Sequence, residues 1–277
     1  MRNRYAGTCV TCSVRVVAGE GFVVKGAARW LTHCAEHEPR PVPPARGDHP
    51  GWHTSDLLGF DTETSSPDPA TAFLVSAAVT DARGGRRTWL IDPGEKEIPA
   101  GAVAVHGVST ERARAEGRPA AECLEELTKV LAEHLGRGLG LVVFNAPFDL
   151  AVLDAERRRH GLSPLAEALG RPPEPIVDPL VIDRAVEPYR RGRRTLSALC
   201  EYYGVPLEHA HTAEGDARAA LALAGEIGAR HPGTASLALP ELHDRQAEWA
   251  LEHARGRQEW LDRERPDHGT VIDGTWP

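Results

Sequence analysis

Three short stretches hold acidic side chains that could act together. In FDTETSS (60–66), Asp61 and Glu63 stand two apart at the end of an apolar run. A strand there would put both on one face. FNAPFDLAVL (144–153) sets Asp149 in the first turn of a helix-like segment, and HTAEGDA (211–217) places His211 five residues before Asp216. Five helical residues rotate a side chain by roughly 140°. The two groups therefore converge only if His211 lies on the loop and Asp216 in the first turns of the helix, with Thr212 as N-cap. Carboxylates gathered this way repel and need a partner, which a divalent cation with oxygen preference supplies. Four of them suit two Mg²⁺ or Mn²⁺ ions ~4 Å apart, a pair that clamps both the attacking and leaving oxygens of a phosphoryl displacement. A histidine beside them could take the proton of the attacking water.

The elements that must carry these groups follow from hydrophobic period. LLGFD (57–61) reads as a buried strand. AFLVSAAVTD (72–81) and RRTWLID (86–92) read as strands joined by a tight turn, an antiparallel hairpin. A helix over 119–135, a strand at 140–144 and a helix opening on Pro147 follow, then helices over 195–205 and after His211. Three meandering strands followed by helix, strand, helix, helix imply an α/β domain, a mixed sheet flanked by helices.

The bulk numbers narrow the class. Of 277 residues, 40 are acidic and 32 basic, for a net charge of −8. That argues against non-specific sticking to nucleic acid but not against an enzyme whose metals offset local carboxylates. The start MRNRYAGTCVTC has no secretory apolar core, and LGLVVF (139–144) is too short to cross a bilayer. A cytoplasmic protein with no membrane partner is expected. EPYRRGRR (187–194) holds Arg190, Arg191, Arg193 and Arg194, read on their own as a solvated basic loop. Cys123 and Cys200, isolated in helical patterns, read as small core residues.

With these residues in place, the chain resembles the DEDDh 3′→5′ exonucleases, the DnaQ-like superfamily that includes the proofreading epsilon subunit of bacterial DNA polymerase III. DTE (61–63), NAPFD (145–149) and HTAEGD (211–216) match its three motifs in order and spacing, and VHGVS (105–109) and TLSALCEYYGVP (195–206) resemble segments between them. Ser65-Ser66 stands where the family often has Thr-Gly. The resemblance covers about 57–230 and implies an RNase H-like fold and two-metal release of 3′-terminal nucleotides. It assigns Asp61 to both ions, Glu63 and Asp216 to the nucleophile-side ion, Asp149 to the second, and His211 to the general base. Thr62, Thr64, Asn145 and Phe148 within the motifs become candidate substrate contacts, and the four arginines candidate phosphate contacts. The expected substrate is single-stranded or 3′-frayed nucleic acid, DNA favoured, with a DNA polymerase or repair protein as candidate partner. The alternatives are an RNA-trimming exoribonuclease and a nucleic-acid-binding adaptor with an idle nuclease domain.

The ends form separate zones. Cys9-x2-Cys12, then 21 residues, then Cys34-x2-His37 reads as a zinc-ribbon-like module over 1–38 holding one structural Zn²⁺, with His33 as rival fourth ligand. A Pro- and Gly-rich linker is expected over 39–55, the exonuclease domain over 56–232, and a helical tail over 233–277. Trp249 and Trp260, eleven apart, mark one face of a packing helix in that tail.

Overall fold

The computed structural model describes residues 1–25, 29–38 and 42–277. The chain divides into two compact units, Met1–Val42 and Pro43–Pro277. Positions 39–41 of the expected linker lie outside the described residues.

The smaller unit is two antiparallel hairpins. β1 (Gly7–Thr8) pairs with β2 (Arg15–Val16), and β3 (Phe22–Lys25) with β4 (Trp30–His33). Buried Cys9, Val16 and Phe22 are a minimal core. Buried Asn3 ties the unit together, donating to the Tyr5 and Val17 carbonyls and accepting from Gly21 N–H. Gly21 is required by space, since a Cβ there would meet the His33 carbonyl at 2.3 Å. The β1–β2 turn carries Cys9 and Cys12, and the segment after β4 carries Cys34 and His37.

The larger unit is built on β5 (Leu58–Thr64), β6 (Leu74–Asp81) and β7 (Arg86–Leu90), the expected meander, antiparallel throughout. Helices α1 (Ala100–His106), α2 (Thr110–Glu116) and α3 (Ala120–Gly136) follow, then β8 (Leu141–Val142), α4 (Ala146–Arg159), α5 (Leu165–Leu169) and β9 (Ile176–Val177). The chain continues through α6 (Pro179–Val186), α7 (Leu196–Tyr203), α8 (Ala213–Arg230), α9 (Pro232–Ala235) and α10 (Leu239–Glu264). The sheet order is β7-β6-β5-β8-β9, with β8 and β9 parallel to β5. This is the expected RNase H-like mixed sheet flanked by helices.

Successive residues of the inner strands enter opposite cores. Phe60, Leu141 and Ile176 join Leu124, Leu127 and Leu131 of α3, while Val142 and Val177 join Leu199, Ala220 and Leu223 of α7 and α8. Cys123 and Cys200 are buried, one in each core. Helix α8 rides close on β5 because position 59 is glycine: a Cβ there would meet the Ala217 carbonyl at 2.5 Å. That close approach brings the first turn of α8 to the end of β5.

Some elements differ from the sequence reading. Strand β8 has two residues rather than five, α4 begins at Ala146 with Pro147 second, and β9, α1, α2, α5 and α6 were not anticipated. Residues 43–55 pack on α8 and α9, with Gly47 N–H on the Ala229 carbonyl and buried Trp52 donating to the Thr234 carbonyl. The segment after 232 is equally part of this unit, since α10 packs on α6 and β9. Trp249 packs against both cores, whereas Trp260 stays 38% exposed under the Arg257 guanidinium. No helix among the described residues is long and apolar enough to cross a membrane.

Candidate active site

Asp61 and Glu63 lie on the side of β5 that faces α8, in register with Gly59. Asp216 enters from the first turn of α8, which Thr212 caps by accepting from Gly215 N–H at 3.1 Å. Carboxylate oxygens of Asp61, Glu63 and Asp216 come within 4.8 Å of one another. The loop ahead of α8 is turned by two non-glycine residues of left-handed conformation, His209 (φ 54°) and His211 (φ 62°). His211 is exposed and joined to the cluster through its backbone N–H, which donates to Asp216 Oδ1 at 3.3 Å. The His209 carbonyl is occupied by the Thr212 hydroxyl at 2.8 Å.

Asp149 approaches from the other face. Strand β8 pairs only with Leu58 and Gly59, so that edge of β5 is open beyond them. Thr62 there donates both its N–H (3.0 Å) and hydroxyl (2.6 Å) to Asp149 Oδ1. Asp149 is buried, with Oδ2 left over. Thr62 is thereby committed to Asp149. Of the other candidate contacts, Thr64 donates to the Ser66 carbonyl, Asn145 caps α4 with φ 64°, and Phe148 packs on the α3-side core.

The electrostatics are those of crowded anions. Burial, then repulsion from Asp149, Asp216 and Glu63, pushes the Asp61 carboxyl well above its ordinary range. Burial and the same kind of neighbours raise Glu63 to about 7. Burial raises Asp149 to about 7 despite the two bonds from Thr62, and burial also raises Asp216. Oxygen donors in this condition fit a hard divalent cation. Beside Glu63 a cleft of about 540 Å³ runs between β7 and the start of α8, lined among others by His106, Trp89, Arg112 and Arg218.

Two of the four clustered arginines are engaged within the fold. Asp183 of α6 is fully buried, and Arg190 (3.1 Å) and Arg194 both pair with its Oδ2, while Tyr203 donates to Oδ1. Both guanidinium groups are thus engaged with a buried carboxylate, which would be stranded if both left. Arg191 and Arg193 are exposed.

Sequence reasoning passed over Asp178. Its buried carboxylate caps α6 at Leu180 N–H and accepts from the N–H groups of Asn145 and Ala146, each at 3.0 Å. It therefore holds the turn from which Asp149 is launched. Asp followed by Pro ahead of an apolar run is an N-cap signal that could have found α6. The link to Asn145 has no local signal.

In the smaller unit, ligand atoms of Cys9, Cys12, Cys34 and His37 lie within 4.8 Å of one another. Cys12 and Cys34 sulfurs are 3.7 Å apart, and Cys34 Sγ is 3.1 Å from His37 Nδ1. With Zn–S bonds of about 2.3 Å, the tetrahedral S···S edge is ~3.8 Å, so the spacing fits zinc and is far too long for a disulfide. Burial acts to raise the Cys9 thiol, but backbone N–H groups of Cys34, Cys12 and Thr11 bring it down to about 5, favouring thiolate.

A mixed sheet in this order, with carboxylates converging from the central strand and two helices, defines the RNase H-like exonuclease class. Residues 58–224, more than half of the chain, match the RNase_T exonuclease family, and the chain belongs to it. The matched family is one of exonucleases. Among solved structures, Escherichia coli exonuclease I with a dT13 oligonucleotide aligns with a TM-score of 0.56 at 21% identity, over 75% of this chain and 46% of that one. The same enzyme with dA16 gives 0.54 at 21%, over 76% and 46%. An ExoI/SSB-Ct complex gives 0.55 at 20%, over 76% and 46%. This chain thus spans less than half the length of those exonuclease I chains. No curated protein matches the sequence.

Proposed function

We propose that the chain removes 3′-terminal nucleotides from single-stranded DNA by two-metal hydrolysis. The observation that carries this reading is the meeting of Asp61, Glu63 and Asp216 oxygens within 4.8 Å, beside an Asp149 bonded to the same strand. Two Mg²⁺ or Mn²⁺ ions bound there would polarise the scissile phosphate and acidify the attacking water. Asp61, which feels all three other acids, would contact both ions. Glu63 and Asp216 would hold the ion on the nucleophile's side, and Asp149 the other through its spare oxygen. Thr62 orients Asp149 and keeps it from rotating away. His211 would take the proton of the attacking water, and its exposure lets that proton pass to solvent. The cleft beside Glu63, lined by His106, Arg112 and Arg218, would take the terminal nucleotide, while Thr64, Asn145, Phe148, Arg191 and Arg193, outside that lining, are candidate contacts for the rest of the strand.

DNA is favoured because the exonuclease I neighbours hold dT13 and dA16 oligonucleotides. The setting that suits single-strand trimming is repair or proofreading, beside a polymerase or another repair protein. Five free thiols suit the reducing cytoplasm. Cys9, Cys12, Cys34 and His37 would hold one structural Zn²⁺ as a closed set.

Incubating the protein with 5′-labelled single-stranded DNA, duplex DNA and RNA in Mg²⁺ tests the reading. Stepwise shortening, fastest on single-stranded DNA and abolished in Asp61→Asn, is expected. Undiminished turnover by Asp61→Asn, or full activity in chelator, would overturn the metal reading. Faster loss of RNA would overturn the substrate.

A further inference from the structure

The smaller unit presents a surface that neither its hairpins nor its four metal-type ligands use. Tyr5 is 84% exposed and Trp30 56% exposed. Both line one cleft of about 490 Å³ together with Arg2, Arg4, Val23 and Thr32. Two large aromatics left in water at one cleft of so small a unit are a cost to solubility that a ligand would remove. The Arg2 guanidinium lies 4.5 Å over the Phe22 ring, which steadies it at the rim. Arg4 and Arg29 are exposed.

Charge selects the occupant. Residues 1–42 hold six Lys and Arg against three Asp and Glu, a balance of +3 in a chain of −8, which leaves −11 for the rest. Among the described residues lining the cleft there is no acid. A second copy of the unit would set arginine against arginine, so the cleft does not suit self-association. Exposed aromatic rings interleaved with arginines are what unpaired bases and their phosphates require: rings stack on any base, and guanidinium groups neutralise the backbone.

We infer that the Tyr5–Trp30 face of the N-terminal unit is a stacking platform for single-stranded nucleic acid, separate from the carboxylate site. The inference extends the proposed function and shares its single-stranded substrate. It explains how a chain whose catalytic unit is strongly acidic retains a polyanion. Holding the strand on a tethered unit raises its local concentration at the other without any added contact in the catalytic cleft. Because stacking reads no base edge, dT and dA oligomers should bind alike.

The test uses the full chain as Asp61→Asn, so that binding is read without degradation. Fluorescence anisotropy with labelled dT and dA oligomers should show affinity falling ~10-fold or more in Tyr5→Ala/Trp30→Ala. Zinc content and circular dichroism of that variant should be unchanged, which separates lost stacking from lost folding. Arg4→Ala should flatten the dependence of log affinity on log salt by ~0.7, the increment for one phosphate contact on a single strand. Equal affinity of the parent and the double aromatic variant overturns the inference. So does a concentration-dependent dimer of the parent that the double variant abolishes while oligomer binding stays the same. Degradation of the same oligomers by the chain with Asp61 intact is measured separately. Its absence would sink the proposed function while leaving the platform standing.

Discussion

Two histidines compete for one role in the loop EHAHT, and their backbone surroundings separate them. The His209 carbonyl is taken up by the N-cap threonine, so that residue is part of the turn's scaffolding. His211 is bonded directly to Asp216. His211→Ala should lose ~10²–10⁴-fold in single-turnover rate, the usual worth of a general base, with metal binding largely kept. His209→Ala should stay within a few-fold of the parent. The reverse ranking would mean that the third motif has been laid on the wrong histidine. The carboxylates make a second residue-scale prediction, about stability. Glu63 and Asp149 have folded-state values near 7, above their unfolded values near 4. Between those limits the native state keeps protons that the unfolded chain has lost. Their contribution is therefore fully present below pH ~4 and lost as pH rises through ~7. In chelator, melting temperature should fall from pH 5 to pH 8, and Mg²⁺ should restore it most at pH 8. Glu63→Gln should shrink both effects, and scanning fluorimetry across pH would expose an unchanged slope.

At the scale of elements, the site depends on parts that lie outside the motif-bearing strand and helices. Edge strand β9 is closed by α10, whose His243 accepts from Ile176 N–H while Gln246 donates to the Ile176 carbonyl and accepts from Asp178 N–H. Trp276 adds a bond to Asp178 Oδ2 at 3.3 Å. The helix supplies what a further strand would have supplied. Asp178 in turn accepts from Asn145 and Ala146 at the head of α4. Asp178→Asn replaces one acceptor oxygen by a donor facing buried N–H groups, at a cost of about 1–3 kcal/mol for each donor left unsatisfied. A lower denaturation midpoint is expected together with a raised Mg²⁺ requirement for turnover, because Asp149 is launched from that turn. A stability loss with an unchanged Mg²⁺ titration would reduce Asp178 to a purely structural role. This is also where the sequence was least legible. Asp61, Glu63, Asp149 and Asp216 could be read because strand period and helix caps are local signals. The two-residue strands β8 and β9 carry too few residues for a period. Besides the apolar packing of Leu242 and Trp249, the hydrogen bonds that tie residues 233–277 to β9 and Asp178 come from one glutamine, one histidine and one tryptophan that look like ordinary surface composition. Likewise nothing local announced that Arg190 and Arg194 are claimed by a buried Asp183.

For the whole molecule, the question is whether the two compact units stand or fall together. Met1–Val42 buries little beyond Cys9, Val16 and Phe22, and hairpins of two to four residues per strand are not stable alone in water. About 40 residues is the size below which metals or disulfides usually become necessary. All five cysteines are free, so under the proposed zinc site the folding energy of this unit would come from metal bound to Cys9, Cys12, Cys34 and His37. Pro43–Pro277 has two large cores and a smaller one around Phe73, Val75 and Ile98, all its own. The expected preparation carries about one Zn²⁺ per chain. Cys9→Ser should release it, broaden the amide signals of residues 1–38 and leave the main thermal transition in place. Hydrolysis of a small phosphodiester that needs only the carboxylate site should survive in that variant, while capture of long single strands should weaken. Carefully purified protein without zinc would refute the metal-folded unit. Loss of small-substrate hydrolysis in Cys9→Ser would show instead that the catalytic unit depends on the N-terminal one.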